Sequence, residues 1–128
     1  MGITVDTSQL NRLAATLDTA GQAIPDSVAE VIKRGALNIK KDAARRASGL
    51  AHAPAYPRSI SFDFARGLSG PSAEIGPDKG RRQGALGNLI EYGSVNNGPR
   101  PHLGPALDAE APKLQRYLED AVLRALGL

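Results

Sequence analysis

The chain has 128 residues, no cysteine, no tryptophan and a formal charge of +3. This length favours a single domain, 1–128, large enough to bury roughly two thirds of its unfolded surface. The missing cysteines exclude disulfides and thiolate metal sites and suit a reducing cytoplasm. No stretch approaches the ~20 apolar residues that span a bilayer, so a soluble chain is expected, and the mild basicity permits contact with nucleic acid without requiring it.

Ile3 and Val5 flank Thr4 in a short strand-like start, and Asp6, Thr7 or Ser8 can cap a helix that follows. Leu10, Leu13, Ala14, Leu17 and Gly21 recur at helical spacing there, and the break at Ala23-Ile24-Pro25 ends that segment. Asp26 or Ser27 then caps a second, longer helix, expected from Asp26 to about Ser48, on which Val28, Val31, Ile32, Gly35, Ala36, Ile39, Ala43 and Ala47 mark one face. At 1.5 Å per residue such a helix is roughly 33 Å long.

Pro54 and Pro57 forbid a helix interior between Gly49 and Pro57 and favour an extended path. Beyond them the hydrophobic period changes to two. Ser59-Ile60-Ser61-Phe62-Asp63-Phe64 alternates as a strand with one buried face, Ser72 to Gly76 offers a second strand, and the turn around Gly67 to Pro71 makes the two an antiparallel pair. Asp78 to Gly87, with Lys79, Arg81 and Arg82, is expected to be an exposed, mobile loop. Leu86, Leu89, Ile90 and Tyr92 are expected to resume burial as a helical turn or a strand. Pro99 to Leu107 is proline-spaced and should run stiff and extended into a last helix, which tolerates Pro112 in its first turn alone. The fold class expected is α+β: two N-terminal helices, the second long, a small and mostly antiparallel sheet with long loops, and a C-terminal helix packed on the sheet.

Few residues suggest chemistry. His52 and His102 are the only histidines and lie in separate loops without a cluster of carboxylates. The glycines at 80, 84 and 87 match neither a dinucleotide fingerprint nor a phosphate loop, and no Gly-x-Ser-x-Gly elbow occurs. Carboxylate pairs such as Asp108 with Glu110 fall beside Lys113, Arg116 and Arg124, as in a solvated ion-paired helix face. Neither catalytic residues nor a cofactor or metal is expected. The second helix carries a basic stripe that includes Lys33, Lys40, Lys41 and Arg45, which is either a solvated face or, in a ring, a surface turned to a channel that DNA traverses unread. With so few aromatics, the stacking platforms of a sequence reader are not evident.

The segment Gln83 to Ser94, containing Glu91-Tyr92-Gly93-Ser94, followed by Pro99-Arg100-Pro101-His102-Leu103-Gly104-Pro105-Ala106-Leu107, resembles the tail-completion or neck proteins of long-tailed bacteriophages. The order of helix, proline-rich loop, strands and final helix is similar over nearly the whole chain. Two departures stand out: His102 replaces a more usual aromatic, and Ala55 to Ile60 replaces a Thr-Gly-Leu-x-x-Ser turn. The resemblance implies a structural virion protein, not an enzyme. It would be assembled in the host cytoplasm into a homo-oligomeric ring, commonly of six subunits, between the head-side connector or stopper and the tail terminator or tube. Arg81, Arg82, Glu91, Tyr92, Arg100, His102 and Leu103 are the expected contacts to neighbouring subunits. A tail terminator capping the tube, or a small basic DNA-binding accessory protein, are the alternatives.

Overall fold

The computed structural model describes residues 2–6, 26–67 and 70–127. Its elements are strand β1 (Ile3–Asp6), helix α1 (Asp26–Arg46), a 3-10 turn at Tyr56–Ser59, strands β2 (Ile60–Gly67) and β3 (Gly70–Pro77), a 3-10 turn at Gly84–Leu86, the short helix α2 (Gly87–Tyr92) and helix α3 (Leu103–Ala125). The α+β class is as expected. Of the two expected N-terminal helices the described residues hold one, α1; the other, expected over 10–21, lies outside them.

The strands form one antiparallel sheet in the order β1-β3-β2. Alternation dictates which side chains meet α1. Ile3 and Val5 stand opposite Ile75 and Ala73, and on the other side of β3 Phe62 and Phe64 stand opposite the same two residues. These rows share one face of the sheet. With Ile60 they join the core with Val28, Ile32, Ala36, Ile39 and Ala43 of α1. Ile75, on the central strand, is fully buried and contributes about 1.5–3 kcal/mol on that ground.

The C-terminal helix was expected on the sheet. It lies instead mainly against α1, and meets the sheet chiefly at β1. Gly35 is the reason that the two helices meet so closely: a Cβ there would lie 2.7 Å from Leu114 Cδ1. Asn38 Nδ2 donates to Glu110 Oε1 at 2.9 Å along the same seam.

Three other expectations are corrected. The 49–57 stretch is a series of tight turns, with Ala53 N donating to Leu50 O and Tyr56 N to Ala53 O, both at 3.2 Å. Pro57 fits because it stands at the start of the 3-10 turn, where its missing N–H leaves no carbonyl unpaired. The 78–87 loop is exposed at Lys79, Arg81 and Arg82, but it is coiled rather than loose. Arg81 N donates to Asp78 O and Gly84 N to Arg81 O, both at 3.0 Å, while Gln83 Oε1 accepts from Ala55 N at 2.6 Å. Finally, α3 begins at Leu103, four residues before Leu107, which places Pro105 in its first turn and Pro112 in its interior. Pro112 is exposed there and costs α3 one backbone hydrogen bond.

Gly35→Val should destabilise the protein by about 1–3 kcal/mol, because added methyls collide with Leu114 across a filled seam. Urea unfolding should show part of that loss recovered in the Gly35→Val, Leu114→Ala double variant, and strict additivity would contradict the close approach.

Candidate functional site: a buried clamp and the loops it holds

The residues that carry the family resemblance meet in one place. Helix α2 is too short to persist alone, and it ends with Glu91 turned inward, 6% exposed. Gly93 then takes a positive φ of 83°, and a Cβ there would stand 2.8 Å from Pro99 N. Only glycine suits both demands. The chain makes a narrow excursion in which Ser94 N donates to Asn97 O at 2.8 Å, and it returns so that Arg100 N donates to Ile90 O at 2.7 Å.

That return delivers Arg100 and His102 to two helix ends. The Arg100 guanidinium donates to Arg46 O at 3.0 Å and also to Ser48 O, so a cation satisfies carbonyls at the C-terminus of α1. Glu91 does the opposite for α3. Its Oε1 accepts from His102 N at 3.1 Å and Leu103 N at 2.9 Å, and Oε2 accepts from Gly104 N at 3.4 Å. A carboxylate thus occupies the positive end of α3, in place of a cap from the His102 side chain, which makes none.

His102 completes the cluster. Its Nδ1 is 3.0 Å from both Glu91 Oε1 and Arg100 O, two acceptors, so we assign the proton to Nδ1. Nε2 is then free to accept from the Tyr56 hydroxyl at 2.6 Å. Burial, and secondarily the negative Glu91, push the Tyr56 phenol well above the usual tyrosine range, which keeps it a donor. The two rings meet edge to face with centroids 5.2 Å apart. Every buried side-chain polar atom among the described residues has a partner, so the cluster is closed.

Three of the expected contact residues lie inside the chain: Glu91, His102 and Leu103 are 6%, 0% and 1% exposed. Arg100 is committed to α1. Tyr92, by contrast, is 73% exposed, and Val95 at the tip of the same loop is fully exposed. Leu89 and Tyr92 were expected to be buried, yet both face solvent, because the inward side of α2 is taken by Gly87 and Glu91. Arg81 and Arg82 are exposed, Arg81 being held 3.5 Å from Asp78 and 3.2 Å from Arg58 O.

On α1, Lys33 lies 3.6 Å from Glu30 and 4.7 Å from the centre of the Phe64 ring, and Arg45 pairs with Asp42. Lys40 is half-buried and Lys41 exposed. Among the described residues no group of three or more His, Asp or Glu is placed to hold a metal ion. No helix of the described chain is long and apolar enough to cross a membrane.

The Tyr56 hydroxyl and the Arg46 and Ser48 carbonyls were not expected at this site from the sequence. One signal pointed to the clamp: α3 opens without Ser, Thr, Asp or Asn at its cap position, so its N–H groups need an acceptor from elsewhere.

Glu91→Ala should destabilise the protein by about 2–4 kcal/mol, since it strands buried donors at α3. Hydrogen exchange should place the largest loss of protection at Leu103 and Gly104; a uniform loss would speak against the cap. Tyr56 yields a pH prediction. Its pKa is raised on folding, so its contribution is complete below the unfolded value near 10 and is lost as pH rises beyond it. Tyr56→Phe should cost about 1–3 kcal/mol at neutral pH and should flatten the alkaline fall in stability above pH ~10, which denaturant titrations across pH 8–11 would detect.

Comparisons with protein-family models, with curated proteins and with solved structures return no match to this chain.

Proposed function

We propose that this chain is a structural subunit of a long-tailed bacteriophage virion, forming a ring around the DNA channel at the head–tail junction. There it joins the head-side connector or stopper to the tail tube or its terminator. One observation carries the reading: Glu91, Gly93 and Arg100, within the segment that resembles tail-completion proteins, and His102, which departs from that pattern, have architectural roles. They fasten two helix ends and lift the 92–99 loop clear of the body, with Tyr92 and Val95 exposed on it.

An exposed tyrosine on a loop pinned at both ends suits docking, because little order remains to be imposed when a partner arrives. Arg81 and Arg82 stand on a second coiled loop. In this reading both loops face the next ring, and the subunit acts by assembly rather than by turnover. The interior supports it too. Its core is built largely from alanine, valine, isoleucine and leucine, with Tyr56 the one aromatic core residue that is fully buried among those described. Such a subunit gains stability from covered surface.

Electron microscopy of particles assembled without this protein tests the proposal. Separate filled heads and finished tails are the expected outcome, and infectious joined particles would refute it. Supplying Arg81→Ala, Arg82→Ala, Tyr92→Ala in place of the wild type should leave the fold intact and reproduce the unjoined phenotype.

A further inference from the structure

Among the described elements, α1 covers one face of the sheet and none covers the other. Residues that alternate with the core rows, Thr4, Asp63 and Glu74 among them, are exposed, and their outward neighbours Ser61, Ala65 and Ser72 are small and neutral. Asp63 and Glu74 stand directly opposite one another in the β2–β3 register, with Thr4 opposite Glu74 on the other side. Like charges at directly opposed cross-strand positions repel. None of the ion pairs among the described residues involves either carboxylate.

Helix α1 bears the opposite charge on the opposite side of the molecule. Its buried stripe through Ile32, Ala36, Ile39 and Ala43 faces the sheet, while Arg34, Lys41 and Arg45 are exposed on the side turned away, where the exposed Glu30 is paired with Lys33 and Arg45 with Asp42. Arg34 and Lys41 lie two turns apart, roughly 10 Å along the axis, and enter none of those ion pairs. Leu37, 37% exposed, lies between them.

We propose that copies of this chain associate head to tail, the acidic outer face of one sheet docking on the basic face of α1 in the next copy. This rests on the ring reading above and names the contact within the ring. Pairing of like faces, sheet on sheet or α1 on α1, brings equal charges together, so the favoured contact is heterologous, the kind that closes into a ring when its rotation permits. A guanidinium or ammonium placed between Asp63 and Glu74 turns a repulsive pair into charge-assisted hydrogen bonds. The small neighbours leave room for the long stems of Arg34 and Lys41 to lie along the sheet.

The test is a charge exchange followed by sedimentation velocity at low and high ionic strength. The wild type should self-associate, more weakly as salt rises. Asp63→Lys with Glu74→Lys, and separately Arg34→Glu with Lys41→Glu, should each weaken association by about tenfold or more. The first variant keeps a like-charged pair on the sheet, so circular dichroism melts should remain close to wild type. An equimolar mixture of the two variants should restore association, since each offers the face that the other lacks.

Wild-type association in both variants would overturn these surfaces and leave the ring reading standing. A wild type that stays monomeric at low salt would overturn the proposal, and the particle phenotype would judge the ring reading separately. Loss of duplex DNA binding in Arg34→Glu, Lys41→Glu, with assembly unchanged, would assign the α1 face to nucleic acid and overturn it equally.

Discussion

The Glu91 carboxylate at the start of α3 is the constraint on which the tertiary arrangement turns. A buried carboxylate is tolerable only when its lone pairs are filled, and here three backbone N–H groups fill them, with the imidazole Nδ1 of His102 3.0 Å away. The helix gains equally, since its first N–H groups have no partners within α3. Each half of the arrangement would be costly alone. Together they fix where α3 begins, and so which of its residues meet α1 at Gly35.

Arg100 repeats the logic with opposite sign at the end of α1. Within twelve residues the chain sends an anion to the positive end of one helix and a cation to the negative end of another. Long, charged side chains suit this because they reach across a gap that a local Ser or Gly cap cannot. The connection between them is thereby shortened to a direct path, and the residues in excess, 92–99, are displaced outward. Exposure of Tyr92 and Val95 is thus a consequence of the clamp.

The outward surfaces follow from the two-layer build. A sheet covered on one side only must present every second residue to solvent, and a helix covering it must show its own far side. Unpaired charge of one sign predominates on each among the described residues, with Asp63 and Glu74 on the sheet and Arg34 and Lys41 on α1. A small net charge conceals this separation, because composition sums over both faces.

The sequence by itself determined the local elements where one period ran long enough: the apolar stripe of α1, the alternation of β2, and the antiparallel partner that Gly67 to Pro71 allows. It also drew attention to Glu91, Arg100 and His102, but as contacts to neighbouring subunits rather than as partners of one another. What it did not determine was direction. Periodicity states that a residue has an inner or an outer side but not what waits there, so charged and polar residues were assigned outward by default. Glu91 and His102 turned inward because the first N–H groups of α3 and the Tyr56 hydroxyl lay within hydrogen-bonding distance, a circumstance set by residues up to 46 positions away. The start of α3 and its seat on α1 were likewise decided in three dimensions: a remote carboxylate supplied the cap that the local sequence lacks, and Gly35 let Leu114 of α3 come close to α1.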